Sequence, residues 1–148
     1  MHEILRLAEN TFRSARCAAD ALIFGLTELL RPHDLTPSQY DALRVLRDSG
    51  PQGCRASDVG VRMLTREPDV SRLLDRLVRL GYAERERAPA DRRVILACIT
   101  VTGRELVERL DAPVAELHAR QLGHLGEGGL AKLLELLESI RRPPPVAD

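Results

Sequence analysis

Between residues 68 and 100 the chain changes its hydrophobic period, and no other stretch restricts the fold as much. The segment reads PDVSRLLDRLVRLGYAERERAPADRRVILACIT. In its first half Val70, Leu73, Leu74, Leu77 and Leu80 recur at helical spacing, which predicts an amphipathic helix over residues 68–80. The opposite face carries Arg72, Arg76 and Arg79, with Asp69 and Ser71 near the N-terminal end. Gly81 follows the last periodic residue, where a left-handed backbone closes a helix. The pattern then alternates every second residue. Residues 83–87 and 94–99 read as two strands, joined by a polar hairpin tip over residues 88–93 that contains Asp91, Arg92 and Arg93.

The residues just before this segment supply what the basic helix needs beside it. Thr36, Pro37 and Gln39 form a helix start, with a capping Thr, Pro in the first turn and Gln three residues on. Tyr40, Leu43 and Leu46 mark the buried face, and Gly50-Pro51 stops the helix. Residues 52–55 read as a short extended link. Residues 57–64 predict a short helix with Val59 and Met63 inward, and residues 65–67 a turn. Short helix, tight turn and basic helix make a helix-turn-helix unit, and the arginine-tipped hairpin adds a wing. In such a unit the helix enters a major groove and the hairpin arginines reach the adjacent minor groove. A basic stripe on its own is usually a solvated face. The hairpin beside it is what a solvated face does not require.

Composition bears on the partner. The 148 residues suit one domain with helical extensions. The 22 basic and 22 acidic residues cancel, which argues against a polybasic coat but not against a local DNA-binding face. Over residues 55–93 ten arginines stand against seven acids. All basic residues but Lys132 are arginine, which suits bidentate contacts to phosphate and guanine, although a GC-rich genome produces the same bias. Aromatics are only 3%, which disfavours base-stacking on single strands and favours duplex DNA.

Both ends of the chain read as helical. Residues 3–31 carry a wide apolar stripe that includes Ile4, Leu5, Phe12, Leu22, Ile23 and Leu26; a partner helix from a second subunit accounts for it as well as an ordinary core does. Pro32 ends that helix. Thr102 and Glu105 predict a second capping box and the start of a long helix with Pro113 inside it, a residue that kinks a helix or removes a backbone hydrogen bond. Residues 126–129 (GEGG) break the pattern and a last helix follows over residues 130–141. The expected fold is mainly α with a small β-wing: a winged helix-turn-helix over residues 35–101, flanked by dimerisation helices at 1–34 and 102–141, with a disordered tail at 142–148.

In order and spacing these pieces resemble the MarR family of bacterial transcription regulators. The resemblance spans about residues 20–141. It rests on Leu35-Thr36-Pro37-Ser38-Gln39-Tyr40, on residues 70–77 and 81–85, and most specifically on Asp91-Arg92-Arg93 followed by Ile99-Thr100 and Gly103. It implies a homodimer on a pseudo-palindromic operator in double-stranded DNA, mostly a repressor, released by a small phenolic or other apolar effector or by an oxidant. It places Ser71, Arg72 and Arg76 toward the major groove and Arg93 in the minor groove, with Asp91 holding that arginine by a charge-assisted hydrogen bond. Two residues depart from the pattern: Pro68 in the first turn of the recognition helix, and Gly60 where relatives have a small alanine, worth about 1 kcal/mol of helix propensity.

Other chemistry is weakly supported by the residues. Cys17, Cys54 and Cys98 are far apart and odd in number, which fits a reducing, cytoplasmic setting rather than a disulfide framework. The hydroperoxide-sensing branch of the family carries its thiol about five residues earlier, near Thr11 or Phe12 here, so a redox switch through Cys17 is the alternative reading. A wing used only for protein contact is another, disfavoured by its arginines. Cys98 alternates with strand residues as a packed apolar side chain. His118 and His124 do not share a helix face, and neither a metal site, a cofactor nor paired catalytic groups are expected. With no apolar run long enough for a membrane span, the expectation is a DNA-binding protein rather than an enzyme. Its effector would bind where the winged unit meets the dimerisation helices.

Overall fold

The computed structural model describes residues 2–64 and 66–141. The expected disordered tail, residues 142–148, and Thr65 of the expected turn lie outside the described residues. The order of elements is α1 (His2–Leu30), α2 (Pro37–Asp48), α3 (Ala56–Arg62), α4 (Val70–Arg79), β1 (Ala83–Arg87), β2 (Ile95–Ile99), α5 (Val101–Leu122) and α6 (Gly126–Arg141), with single 3-10 turns at Arg31–His33, Gly50–Gln52 and Gly123–Leu125. No described helix is long and apolar enough to cross a membrane.

α2 starts as its sequence requires. The Thr36 hydroxyl accepts from the Gln39 N–H and the Gln39 carboxamide accepts from the Thr36 N–H, so two otherwise unpaired amides are satisfied reciprocally. Tyr40, Leu43 and Leu46 face the core, which α2 shares with Val59 of α3, Leu74 and Leu77 of α4, and Leu106, Val107 and Leu110 of α5. Val59 and Met63 are both buried. Among the described residues no charged side chain is fully buried.

β1 and β2 pair antiparallel with Ala83 opposite Ile99 and Arg87 opposite Ile95. The link after α2 is not a plain extended one. It closes a 3-10 turn, and Cys54 then pairs as a lone bridge with Ala97, with hydrogen bonds of 3.0 and 2.8 Å between the two backbones. Gly53 turns the chain at φ +63°, and a Cβ there would collide with the Ala97 carbonyl.

Four boundaries differ from the sequence reading. α4 begins at Val70, capped by Asp69, so Pro68 lies before the recognition helix rather than in its first turn. α5 is capped by Thr100, whose hydroxyl accepts from the Gly103 N–H at 3.0 Å, not by Thr102. The reason is tertiary: Gly103 packs against the Tyr82 carbonyl with no room for a Cβ, and Thr100 donates its own hydroxyl to the Gly81 carbonyl at 2.7 Å. The break between the last two helices falls at residues 123–126, where Gly126 has φ +67°, and Glu127, Gly128 and Gly129 belong to the first turn of α6. α3 spans Ala56–Arg62, shorter than expected, because Met63 turns to ψ 149°. Pro113 stays within a continuous α5; it and Arg109, whose carbonyl loses its helical partner, are both exposed.

The two ends of the fold are thinly covered. In α1 only Leu30 is buried, and Ile4, Leu7 and Phe12 are each more than 60% exposed. α6 buries none of its residues. Ile4, Leu7, Phe12 and Ala15 of α1 meet Ile140 of α6 around an apolar concavity of about 470 Å³.

Candidate nucleic-acid interface

α4 separates its two chemistries by helical period. Leu73, Leu74 and Leu77 are buried, while Ser71, Arg72, Arg76 and Arg79 are exposed. None of these three arginines forms an ion pair among the described residues, in contrast to Arg47 and Arg85. They line an open groove of about 700 Å³ whose other wall is the start of α2, at Thr36, Ser38 and Gln39. Asp69 is at the rim of the same groove, but its carboxylate accepts the Arg72 N–H at 2.9 Å. Its role here is to cap α4, where a negative charge also complements the helix dipole.

The wing tip is built from backbone hydrogen bonds. The Asp91 carboxylate accepts the backbone N–H of Arg93 at 3.0 Å, the Val94 N–H bonds the Asp91 carbonyl, and the Ala88 N–H bonds the Val94 carbonyl. The expected hydrogen bond from Asp91 to Arg93 is thus made to the backbone amide rather than to the side chain. The carboxylate is used on the amide two residues on, which shapes the turn, and the Arg93 guanidinium stays outside it. Arg87 donates to the Arg92 carbonyl at 2.8 Å. Arg92 and Arg93 are exposed and in no ion pair among the described residues.

The link between helix and wing is a residue the sequence reading passed over. Arg85 of β1 donates to Asp75 Oδ1 of α4 at 2.7 Å and to the Ser71 carbonyl at 3.1 Å. The signal was present in the alternation: Arg85 shares its strand face with buried Ala83, and a charge on the core side of a strand needs a partner.

A second cavity, of about 360 Å³, opens between α1, α2 and α5. Its wall is largely apolar, from Ile23, Leu26, Tyr40, Leu64 and Val114, with Arg44, Asp41 and His118 as charged or titratable groups. The Arg44 guanidinium lies 6.0 Å from the centre of the Tyr40 ring. Burial pushes the Tyr40 phenol above its usual range, with Arg44 opposing and Asp111 adding to the shift. Arg47 is drawn to Asp111 of α5 at 2.7 Å and to Asp48 at 3.2 Å. Burial disfavours its charge, but the two carboxylates together raise its pKa. Cys17 lies exposed on α1, Cys54 is half-buried, and Cys98 is buried.

The MarR family profile matches residues 33–94, from the turn before α2 to the end of the wing tip. A MarR transcription factor from Planctomyces limnophilus is 33% identical, with 88% of this chain and 94% of that one aligned at a TM-score of 0.69. The chain belongs to the MarR family. A MarR variant from E. coli, solved in complex with operator DNA, is 27% identical over 93% of this chain and 95% of its own, at a TM-score of 0.79. CouR from Rhodococcus jostii RHA1, solved with p-coumaroyl-CoA, is 26% identical over 93% of this chain and 94% of its own, at 0.73. The protein is thus a MarR-family transcription regulator with a winged-helix DNA-binding fold.

Proposed function

We propose that this MarR-family protein is a homodimeric, sequence-specific repressor that binds a pseudo-palindromic operator and is released by a small aromatic or other apolar effector. The observation that carries the reading is the set of exposed arginines without ion pairs among the described residues, Arg72, Arg76 and Arg79 on α4 and Arg92 and Arg93 on the wing. Cations left unpaired on a helix and a hairpin tied together by one side chain suit a partner that supplies the anions. Ser71, Arg72 and Arg76 face the major groove, Arg79 and Arg92 meet phosphates, and Arg93 enters the minor groove. Asp69 and Asp91 act by shaping the helix start and the wing turn. Half-sites lie about 34 Å apart, one turn of duplex. The exposed apolar faces of α1 and α6 support pairing of two copies through the chain ends. The DNA-bound MarR variant and the ligand-bound CouR lend support by similarity.

The effector cavity is the one between α1, α2 and α5. Its apolar wall suits a ring, and Arg44 and His118 suit an anionic group on that ring. A ligand that fits only one spacing of the two recognition helices shifts the population away from the DNA-competent dimer. The protein acts by binding, without a catalytic step.

The test is a gel-shift titration against the DNA upstream of the protein's own gene, at several salt concentrations. Sequence-preferring binding with a steep negative log–log salt slope is expected. Equal affinity for scrambled DNA at every salt concentration would overturn the reading.

A further inference from the structure

The cavity between α1, α2 and α5 and the turn after α3 share one carboxylate. Asp41 is half-buried on α2 and lines the cavity beside Tyr40 and Arg44. Its Oδ2 accepts the backbone N–H of Leu64, 23 positions along the chain, at 2.5 Å. Leu64 follows Met63, the residue that ends α3 by turning to ψ 149°, so the Leu64 amide is in the turn that leads to α4. Leu64 also contributes its side chain to the cavity wall. One hydrogen bond therefore joins the floor of the cavity to the turn before the helix that carries Arg72 and Arg76.

We propose that Asp41 is the positioning residue through which occupancy of the cavity reaches the recognition helix. The proposal rests on the cavity being the effector site. With Met63 out of helical conformation, the α3 ladder ends at the Met63 N–H, which bonds Val59, and the next amide takes its acceptor from α2 instead. An ionised carboxylate is acceptor-only and has capacity for several donors, so Asp41 can be drawn toward a donor on a ligand as well as toward Leu64. Leu64 is 75% exposed. Water therefore takes the place of Asp41 at the amide when the carboxylate moves, at a modest net cost. A bond of modest net strength suits a switch, since a comparable difference in ligand affinity between the two states is enough to shift it. Beyond the turn, Asp69 caps α4, and the buried face of α4 rests in the core it shares with α2. A change at Leu64 therefore alters how α4 sits against α2.

The experiment needs no identified effector. Thr27 lines the cavity from α1, and Thr27→Trp places an indole where a ligand ring would sit; Ile23→Trp gives the same comparison from another point on the wall if the first does not fold. Amide exchange at Leu64 is measured in the full chain for wild type, Asp41→Ala, Asp41→Asn and the Trp variant with and without Asp41→Ala. Operator affinity is measured on a duplex selected by the wild-type protein from a random pool. Asp41→Ala should speed Leu64 exchange about tenfold, as expected when a local hydrogen bond is removed, and weaken operator binding about tenfold, within the usual range of coupling between sites. Asp41→Asn, which keeps an acceptor oxygen, should restore most of both. Thr27→Trp should produce the same changes in the Asp41 protein and add nothing to Asp41→Ala. Wild-type exchange at Leu64 in Asp41→Ala, or full additivity of the two substitutions, would overturn the proposal. A pool that yields no preferred duplex would sink the operator reading alone, because the exchange comparison does not use DNA. A Trp variant that changes neither readout, beside an Asp41→Ala that changes both, would sink the cavity as control site and with it the coupling.

Discussion

Arg85 of β1 reaches across to α4 and donates to both Asp75 Oδ1, at 2.7 Å, and the Ser71 carbonyl, at 3.1 Å. The pair is partly exposed, with side chains 32% and 54% accessible, so its contribution to stability is small, under about 1 kcal/mol. Its bearing on geometry is larger, since it joins the wing to α4 at two points. Arg85→Ala should therefore leave the thermal midpoint nearly unchanged while operator affinity falls several-fold. Anisotropy titration beside a melting curve checks this; a parallel loss in both would mean that the residue acts on folding alone.

Arg72 and Arg76 should differ from Arg93 in kind. Alanine at either helix position should cost about 1–3 kcal/mol of operator binding and flatten base preference at the contacted positions. Alanine at Arg93 should weaken binding chiefly where the flank is A·T-rich, because a narrow minor groove concentrates negative potential. Affinities across a panel of single-base operator variants separate the two patterns.

Phe12 is 65% exposed on α1 and borders the apolar concavity that α1 forms with Ile140. Phe12→Glu should leave the winged unit folded and shift the sedimenting species from dimer toward monomer. Operator binding should then become more dependent on protein concentration, since two half-sites no longer engage as a unit. An unchanged sedimentation coefficient would move the dimer contact elsewhere.

Burial raises the Cys98 thiol above its ordinary 9.0, with Glu86, Glu84 and Cys54 adding to the shift. A raised folded pKa means that the native state holds the proton more tightly than the unfolded chain does. Its contribution is complete below pH 9.0 and is lost as pH rises through the raised value. Tyr40 acts in the same direction, but from 10.0 upward. Between these two values the fall in the urea midpoint should belong to Cys98, and Cys98→Ala should flatten it. At neutral pH iodoacetamide should modify exposed Cys17 and spare Cys98.

The parts of the fold that are written locally were legible. The capping box at Thr36 and Gln39, the alternation of β1 and the leucine face of α4 each need only a few neighbouring residues to be recognised. Thr100 and Thr102 offer nearly the same cap, and the choice falls to Thr100 because Gly103 must fit against Tyr82 across the fold. The arginines of the candidate interface were legible as residues; which atom of Arg93 Asp91 binds was not, since amide and guanidinium belong to the same residue. Asp41 and Leu64 are 23 positions apart, and the cavity draws its wall from three helices and the turn at Leu64. No short-range pattern carries either relation.

α1 bears on the fate of a newly made chain as well as on the proposed pairing of two copies. It leaves the ribosome before the helices that follow it, yet within one subunit only Leu30 of its 29 residues is buried. A newly made chain thus completes its winged core while the apolar side of most of a long helix still stands in water. Such a surface invites proteolysis and aggregation until it is covered. In the proposed homodimer a second copy would cover that face, so a solitary chain would be the more open of the two to proteases.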